Sequence, residues 1–139
     1  MLSRSPILPL RTANFTMIIT LALPPTTLHA HNRGNWRSKA APTRAYREEA
    51  ALLAKQEMRR KRGSYPFEKA ELGIDIYFPN LRRRDTLNVV QGLKPAIDGL
   101  VDARLIDDDD WQRLKIGYIR SYLDKDNPRV CLTITANSL

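Results

Sequence analysis

Apolar and polar positions alternate with two different periods along this chain, and those periods divide it into elements. Met17–Leu23 alternates with the period of a strand and is stopped by Pro24-Pro25. Residues 26–42 are polar and basic, which predicts a loop holding His29, His31, Asn32, Arg33, Gly34, Trp36, Arg37 and Lys39. From Thr43 to Arg62 the period becomes helical. Tyr46, Ala50, Leu53, Ala54 and Met58 form an apolar stripe. Thr43 is placed as its N-cap, and Gly63 follows its basic end. Phe67–Phe78 gives the clearest strand, with Ala70, Leu72, Ile74, Ile76 and Phe78 alternating with Glu71, Gly73, Asp75 and Tyr77.

Pro79-Asn80 ends that strand and a loop runs over residues 81–87. Residues 88–104 read as a second helical segment with Val90, Leu93, Ile97, Leu100 and Val101 on one face. Pro95 either kinks it or opens the main helix after a short lead-in. An acidic loop, Asp107–Asp110, comes next. Residues 111–123 and 129–136 then read as a hairpin, with residues 124–128 as its turn. The order is β-α-β-α-β-β. It predicts one α/β domain with a mixed sheet and helices packed on it.

Composition sharpens this picture in one respect. Over 139 residues, hydrophobic content of 42% and charged content of 27% are ordinary, but the formal charge is +8. Such a balance points to an anionic partner, most often nucleic acid. The single cysteine, Cys131, excludes an internal disulfide and reads as a small core or sheet residue. No Cys/His cluster has zinc spacing. The amino terminus superficially resembles a secretory leader, with Arg4 and Arg11 ahead of an apolar run and Leu28-His29-Ala30 after it. That run is short, contains Thr20 and ends in two prolines, so a strand is the expected reading. Residues 1–16 then form an upstream extension or leader, with Met17 an alternative start, and 17–139 the domain. No apolar stretch is long enough to span a bilayer.

Two carboxylate positions flank the second helix: Asp85, after Arg82-Arg83-Arg84, and the Asp107–Asp110 run. Arginine matches phosphate bidentately, and carboxylates suit hard divalent cations. The acidic run lacks the glycine and distal glutamate of an EF-hand loop. Its bland reading is a solvated turn; that of the arginines is an exposed basic loop. Lys94 lies between the two sites in sequence. It reads as a surface lysine with Asp98 as its i,i+4 partner, or as a group that stabilises a developing phosphate charge. His29 and His31 have no nearby carboxylate and are weak candidates as ligands or bases.

In these residues the chain resembles the RusA-type Holliday-junction resolvases, small dimeric endonucleases of phage and prophage. The likeness covers residues 17–136. It rests on Leu23-Pro24-Pro25 with His31-Asn32-Arg33-Gly34; on Arg82-Arg83-Arg84-Asp85 with Asn88; on Leu93-Lys94-Pro95-Ala96-Ile97-Asp98-Gly99-Leu100; and on Leu105-Ile106-Asp107-Asp108-Asp109. The resemblance implies a homodimeric, magnesium-dependent endonuclease, with manganese able to substitute, acting on branched DNA in the cytoplasm. It implies Asp85, Lys94 and Asp109 as catalytic residues and Asp85 and Asp109 as metal ligands. Asp108 would adjoin the metal, and Arg33, Arg82, Arg83, Arg84 and Asn88 would contact DNA. Leu87 stands where the family's signature has a second aspartate, and the lead from Asn88 to Lys94 is longer than in its founding members. Asp98, Asn88 or a water molecule would then complete the metal site. The competing class is a branched-DNA-binding protein that cuts poorly or not at all, and a third is a secreted basic protein.

Overall fold

The computed structural model describes residues 15–25 and 36–136, with the side chains of 36–39 excluded. Four strands and three helices follow in the order β1 (Phe15–Leu21), α1 (Trp36–Arg60), β2 (Ala70–Phe78), α2 (Thr86–Gln91), α3 (Lys94–Asp102), β3 (Leu114–Leu123) and β4 (Arg129–Ala136). The strands make one mixed sheet in the order β1-β4-β2-β3. β4 runs antiparallel to both β1 and β2, while β3 runs parallel to β2. The expected α/β class and element order hold. His29, His31 and Arg33 lie outside the described residues.

The core forms where the alternation placed it. Met17, Ile19 and Leu21 from β1, Leu72, Ile74 and Ile76 from β2, and Val130, Leu132 and Ile134 from β4 are buried on one face. Helical residues close over them: Tyr46, Ala50 and Ala54 from α1, and Ala96, Ile97 and Leu100 from α3, with Leu93 just ahead of α3. The Tyr46 hydroxyl donates to the Ala22 carbonyl at 2.7 Å, and burial pushes its pKa well above the phenol range. α1 and α3 cross closely at Gly99, where any Cβ would collide with the Arg47 carbonyl.

Two expectations are corrected, and one alternative left open is decided. First, residues 111–136 do not form a hairpin. β2 lies between β3 and β4, and the loop 124–128 passes over its end, where the Asp124 amide donates to the Phe78 carbonyl at 2.8 Å. β2 is buried along nearly its whole length, so it gains more from two strand neighbours than β3 and β4 gain from each other. A five-residue loop spans about two strand spacings, so loop length alone does not separate these topologies. Second, α1 starts at Trp36, not at Thr43, and Pro42 lies inside it. Proline there forgoes one backbone hydrogen bond, but its fixed φ already suits a helix and good helix formers precede it. Third, the second helical segment is two helices. Pro95 sits in the first turn of α3 after the short α2, which is the lead-in alternative. The other elements keep their identity with small shifts, β1 beginning at Phe15 and β2 at Ala70.

Ala103 and Arg104 end α3. Arg104 takes a left-handed backbone at φ 66°, and the Leu105 amide reaches back to the Leu100 carbonyl at 3.1 Å. Leu105 and Ile106 then anchor beside Phe67, through hydrogen bonds from Phe67 N to Leu105 O and from Asp107 N to Phe67 O. This pins the start of the acidic loop to the base of β2.

Candidate active site: a lysine held between two carboxylates

Lys94 is the first residue of α3, so its side chain is free to leave the helix end. Its ammonium contacts Asp98, one turn along the same helix, at 2.5 Å, and Asp109, from the acidic loop, at 2.6 Å. The i,i+4 spacing supplies the first contact. The anchoring of Leu105 and Ile106 supplies the second by bringing the loop alongside the helix. The Asp109 carboxylate raises the pKa of Lys94, with Asp98 adding to it. Lys94 in turn holds Asp109 below the ordinary carboxylate range. The mutual shifts keep Lys94 protonated and Asp109 ionised at neutral pH.

The charges continue beyond it. Arg47 from α1 lies 3.9 Å from Asp98 and forms a bidentate pair with Asp102 at 2.6 and 2.8 Å. The acidic run is divided in its tasks. Asp107 and Asp110 both engage Arg113, at 3.2 and 2.5 Å, which fixes the entry to β3. Asp108 accepts the Asp109 amide at 2.7 Å and is exposed. Only Asp109 turns to the lysine. Arg113 and Arg47 were not expected to belong to this network. Nothing in their spacing marks them, because their partners are distant in sequence or hidden in a uniform aspartate run.

Asp85 has a different position. It is the N-cap of α2 and accepts the Leu87 amide at 3.0 Å. No hydrogen bond or ion pair joins it to Lys94, Asp98 or Asp109 among the described residues. Leu87 is an exposed leucine on α2. Asn88 is half-buried on the same short helix.

The arginine loop is built on Asn80. Arg84 donates to the Asn80 carbonyl at 3.0 Å, to its side-chain oxygen at 2.8 Å and to the Arg82 carbonyl at 3.1 Å. Its guanidinium lies 4.5 Å from the centre of the Phe78 ring. Arg82 and Arg83 are exposed. Among the described residues, Arg47, Arg60, Arg113, Arg120 and Arg129 each pair with a carboxylate; Arg82, Arg83 and Arg84 do not, and neither do Arg44, Arg59, Arg62 and Arg104. Partial burial and then the charge of Arg82 lower the pKa of Arg84. An anion arriving there would relieve that repulsion.

The carboxylates were tested as a metal site by their geometry. Hard oxygen donors suit magnesium in kind. Among the described residues, however, no three potential ligands converge, and the place between Asp98 and Asp109 is taken by the Lys94 ammonium. No protein-family model matches this chain, and neither does any curated protein. No described helix is long and apolar enough to cross a membrane.

Proposed function

We propose that this protein is a homodimeric endonuclease of the RusA type that cuts four-way and other branched DNA. One observation carries the reading: a protonated lysine shared by carboxylates from a helix and a loop, in a chain whose Arg82–Arg84 loop has no internal counter-ion. Three guanidiniums without carboxylate partners suit a run of phosphates. Lys94, held protonated, suits neutralisation of charge on a phosphate's leaving oxygen, and not proton abstraction. Asp109, held ionised, is the carboxylate available to position an attacking water or a cation. Magnesium, or manganese in its place, is the cofactor this reading expects, but the residues as placed do not fit it: the Lys94 ammonium fills the space between Asp98 and Asp109, and Asp85 and Asp108 do not converge on them. A two-fold dimer matches the near two-fold symmetry of a four-way junction and would place equal sites at paired positions. Such an enzyme would work in the cytoplasm, where the DNA is.

A second reading has its own support. Asp85 is engaged as a helix cap, Leu87 offers no carboxylate, and Lys94 fills the space between its two aspartates. These features favour a protein that binds branched DNA and cuts it weakly. Incubation with a synthetic four-way junction, with and without magnesium, separates the two. The endonuclease reading expects paired nicks that Asp109→Asn abolishes while binding persists. Binding without nicks at any magnesium concentration would establish the second reading.

A further inference from the structure

The two faces of β3 are unlike. On the face turned away from the helices its side chains are occupied. Tyr122 stacks on Tyr77 at 4.8 Å, Arg129 lies over the Tyr77 ring at 3.8 Å from its centre, and Arg120 pairs with the buried Asp75 at 2.9 Å. On the helix-side face they are not. The register sets Ile116, Ile119, Ser121 and Leu123 beside Leu72, Ile74, Ile76 and Phe78. Leu72, Ile74 and Ile76 are fully buried, yet Ile116, Ile119 and Leu123 are 46%, 37% and 56% exposed. β3 is also the edge of the sheet, so alternate N–H and C=O groups point outward with no strand beside them among the described residues. At its end the apolar row runs into a cavity of about 330 Å³, lined by Phe78, Asn80, Leu81, Arg82, Arg84 and Leu123 among others. The cavity joins apolar walls to two arginines without carboxylate partners. Arg84 is already oriented by Asn80 and Phe78, so little side-chain freedom is lost when it meets a ligand.

We propose that β3 and this cavity receive an extended acidic peptide of a partner protein. It adds a strand to the free edge, its apolar side chains cover Ile116, Ile119 and Leu123, and a carboxylate at one end is held by Arg82 and Arg84. Each free feature has its answer in that chemistry. Main-chain N–H and C=O groups at strand spacing meet the edge, and alternate side chains meet the apolar row. Guanidiniums match carboxylates bidentately. A run of phosphates would use the arginines but leave the row in water and the edge unpaired. A second copy of β3 fits less well. The strand carries Lys115 and Arg120 and no carboxylate, so pairing with itself would bring like charge beside the arginine loop. An acidic partner complements both that loop and the +8 charge of the chain. The inference goes beyond the branched-DNA reading and does not rest on it. Arg82 and Arg84 cannot face a phosphate and a carboxylate at once, so peptide and DNA would compete for this loop.

The test uses the full chain and a fluorescent peptide of alternating valine and threonine with aspartates at both ends, followed by anisotropy. Wild type should bind it at least about tenfold more tightly than a peptide with asparagines in place of the aspartates, and Arg82→Ala with Arg84→Ala should remove that difference. Two further probes test the strand without altering the protein. Only alternate N–H groups of an added strand face the edge, so methylating either the valine nitrogens or the threonine nitrogens should abolish binding in one of the two probes. Equal binding of the aspartate and asparagine peptides, or binding of both methylated probes as tightly as the parent, overturns the proposal. So does failure of the parent peptide to bind. If the β3 amides are then slow to exchange, the chain itself or a second copy covers the edge; if the double arginine variant loses junction binding, the arginines serve phosphates instead. Junction cleavage is read separately and bears only on the Lys94 centre.

Discussion

Three strands of the sheet and the fourth live under different physical rules. β1, β4 and β2 lie beneath α1 and α3, and their inward side chains are almost wholly removed from water. β3 continues the same sheet, parallel to β2, yet Ile116, Ile119 and Leu123 remain exposed on the side the helices cover elsewhere. Its other side carries Tyr118, Arg120 and Tyr122, tied to β2 by Asp75 and by ring stacking, with Tyr118 lying over Gly73. One flank is held by apolar burial and the other by backbone pairing and a polar lattice. The comparison teaches that stability and recognition can be assigned to different strands of one sheet. The covered flank forms the fold, and the β3 edge, with the arginine loop near its end, is left open to solvent.

Substitutions that separate the flanks give the largest expected effects. Ile74→Ala, in the covered centre, should cost about 2–5 kcal/mol in denaturant unfolding, whereas Ile119→Ala, its register partner on β3, should stay within about 1 kcal/mol. Equal losses at the two positions would show that β3 is covered in solution, as a second copy of the chain would cover it. Gly99→Val comes next. Its Cβ meets backbone rather than a flexible side chain, so the α1–α3 crossing must open, at about 1–3 kcal/mol in the same assay.

The arginine loop should behave in the opposite way. Arg83→Ala with Arg84→Ala is expected to change unfolding by no more than about 0.5 kcal/mol. The same pair should weaken junction binding and lower the salt slope by about two. An unchanged slope would mean that this loop meets no phosphate. The smallest effect concerns pH. Asp109 raises the pKa of Lys94 and Lys94 lowers that of Asp109, so their link is complete only while both are charged. Its contribution should be lost as pH falls below about 4, through the depressed Asp109 value, and again as pH rises above about 10, through the raised Lys94 value. Lys94 is more than half exposed, so the difference between wild type and Lys94→Met should be within about 1 kcal/mol between those limits. Unfolding curves of both proteins from pH 3 to 10.5 would show it; a difference that grows outside the window would contradict the pairing.

Much of the covered flank was legible in the sequence because burial imposes a period. Met17, Ile19, Leu72, Ile74, Ile76, Leu132 and Ile134 alternate, and the stripe of Tyr46, Ala50 and Ala54 repeats helically. Strand neighbours were less legible. A strand buried on both faces and an edge strand differ in exposure, yet nothing in residues 111–136 records that β2 will come between them. Pro42 misled because a proline normally stands outside a helix or in its first turn, whereas here it lies in the second turn of a 25-residue helix that outweighs the one hydrogen bond lost. At the site, Lys94 and Asp98 were visible through their i,i+4 spacing. The residue pattern alone did not separate Asp109 from its three adjacent aspartates, and only the family resemblance singled it out; in the structure its turn to the lysine goes with Arg113 engaging Asp107 and Asp110. The layers of Arg129, Tyr77 and Tyr122 come from three strands and have no linear signature.

The account's central claim is that the Lys94–Asp109 centre acts on DNA phosphates. It is tested most directly by single-turnover cleavage of a synthetic four-way junction in magnesium, comparing wild type with Asp109→Asn and Lys94→Met under conditions where all three bind the junction. The account predicts paired nicks for wild type and a loss of at least about a hundredfold in rate for each variant, with binding retained. Nicking by Lys94→Met and Asp109→Asn at the wild-type rate would contradict it.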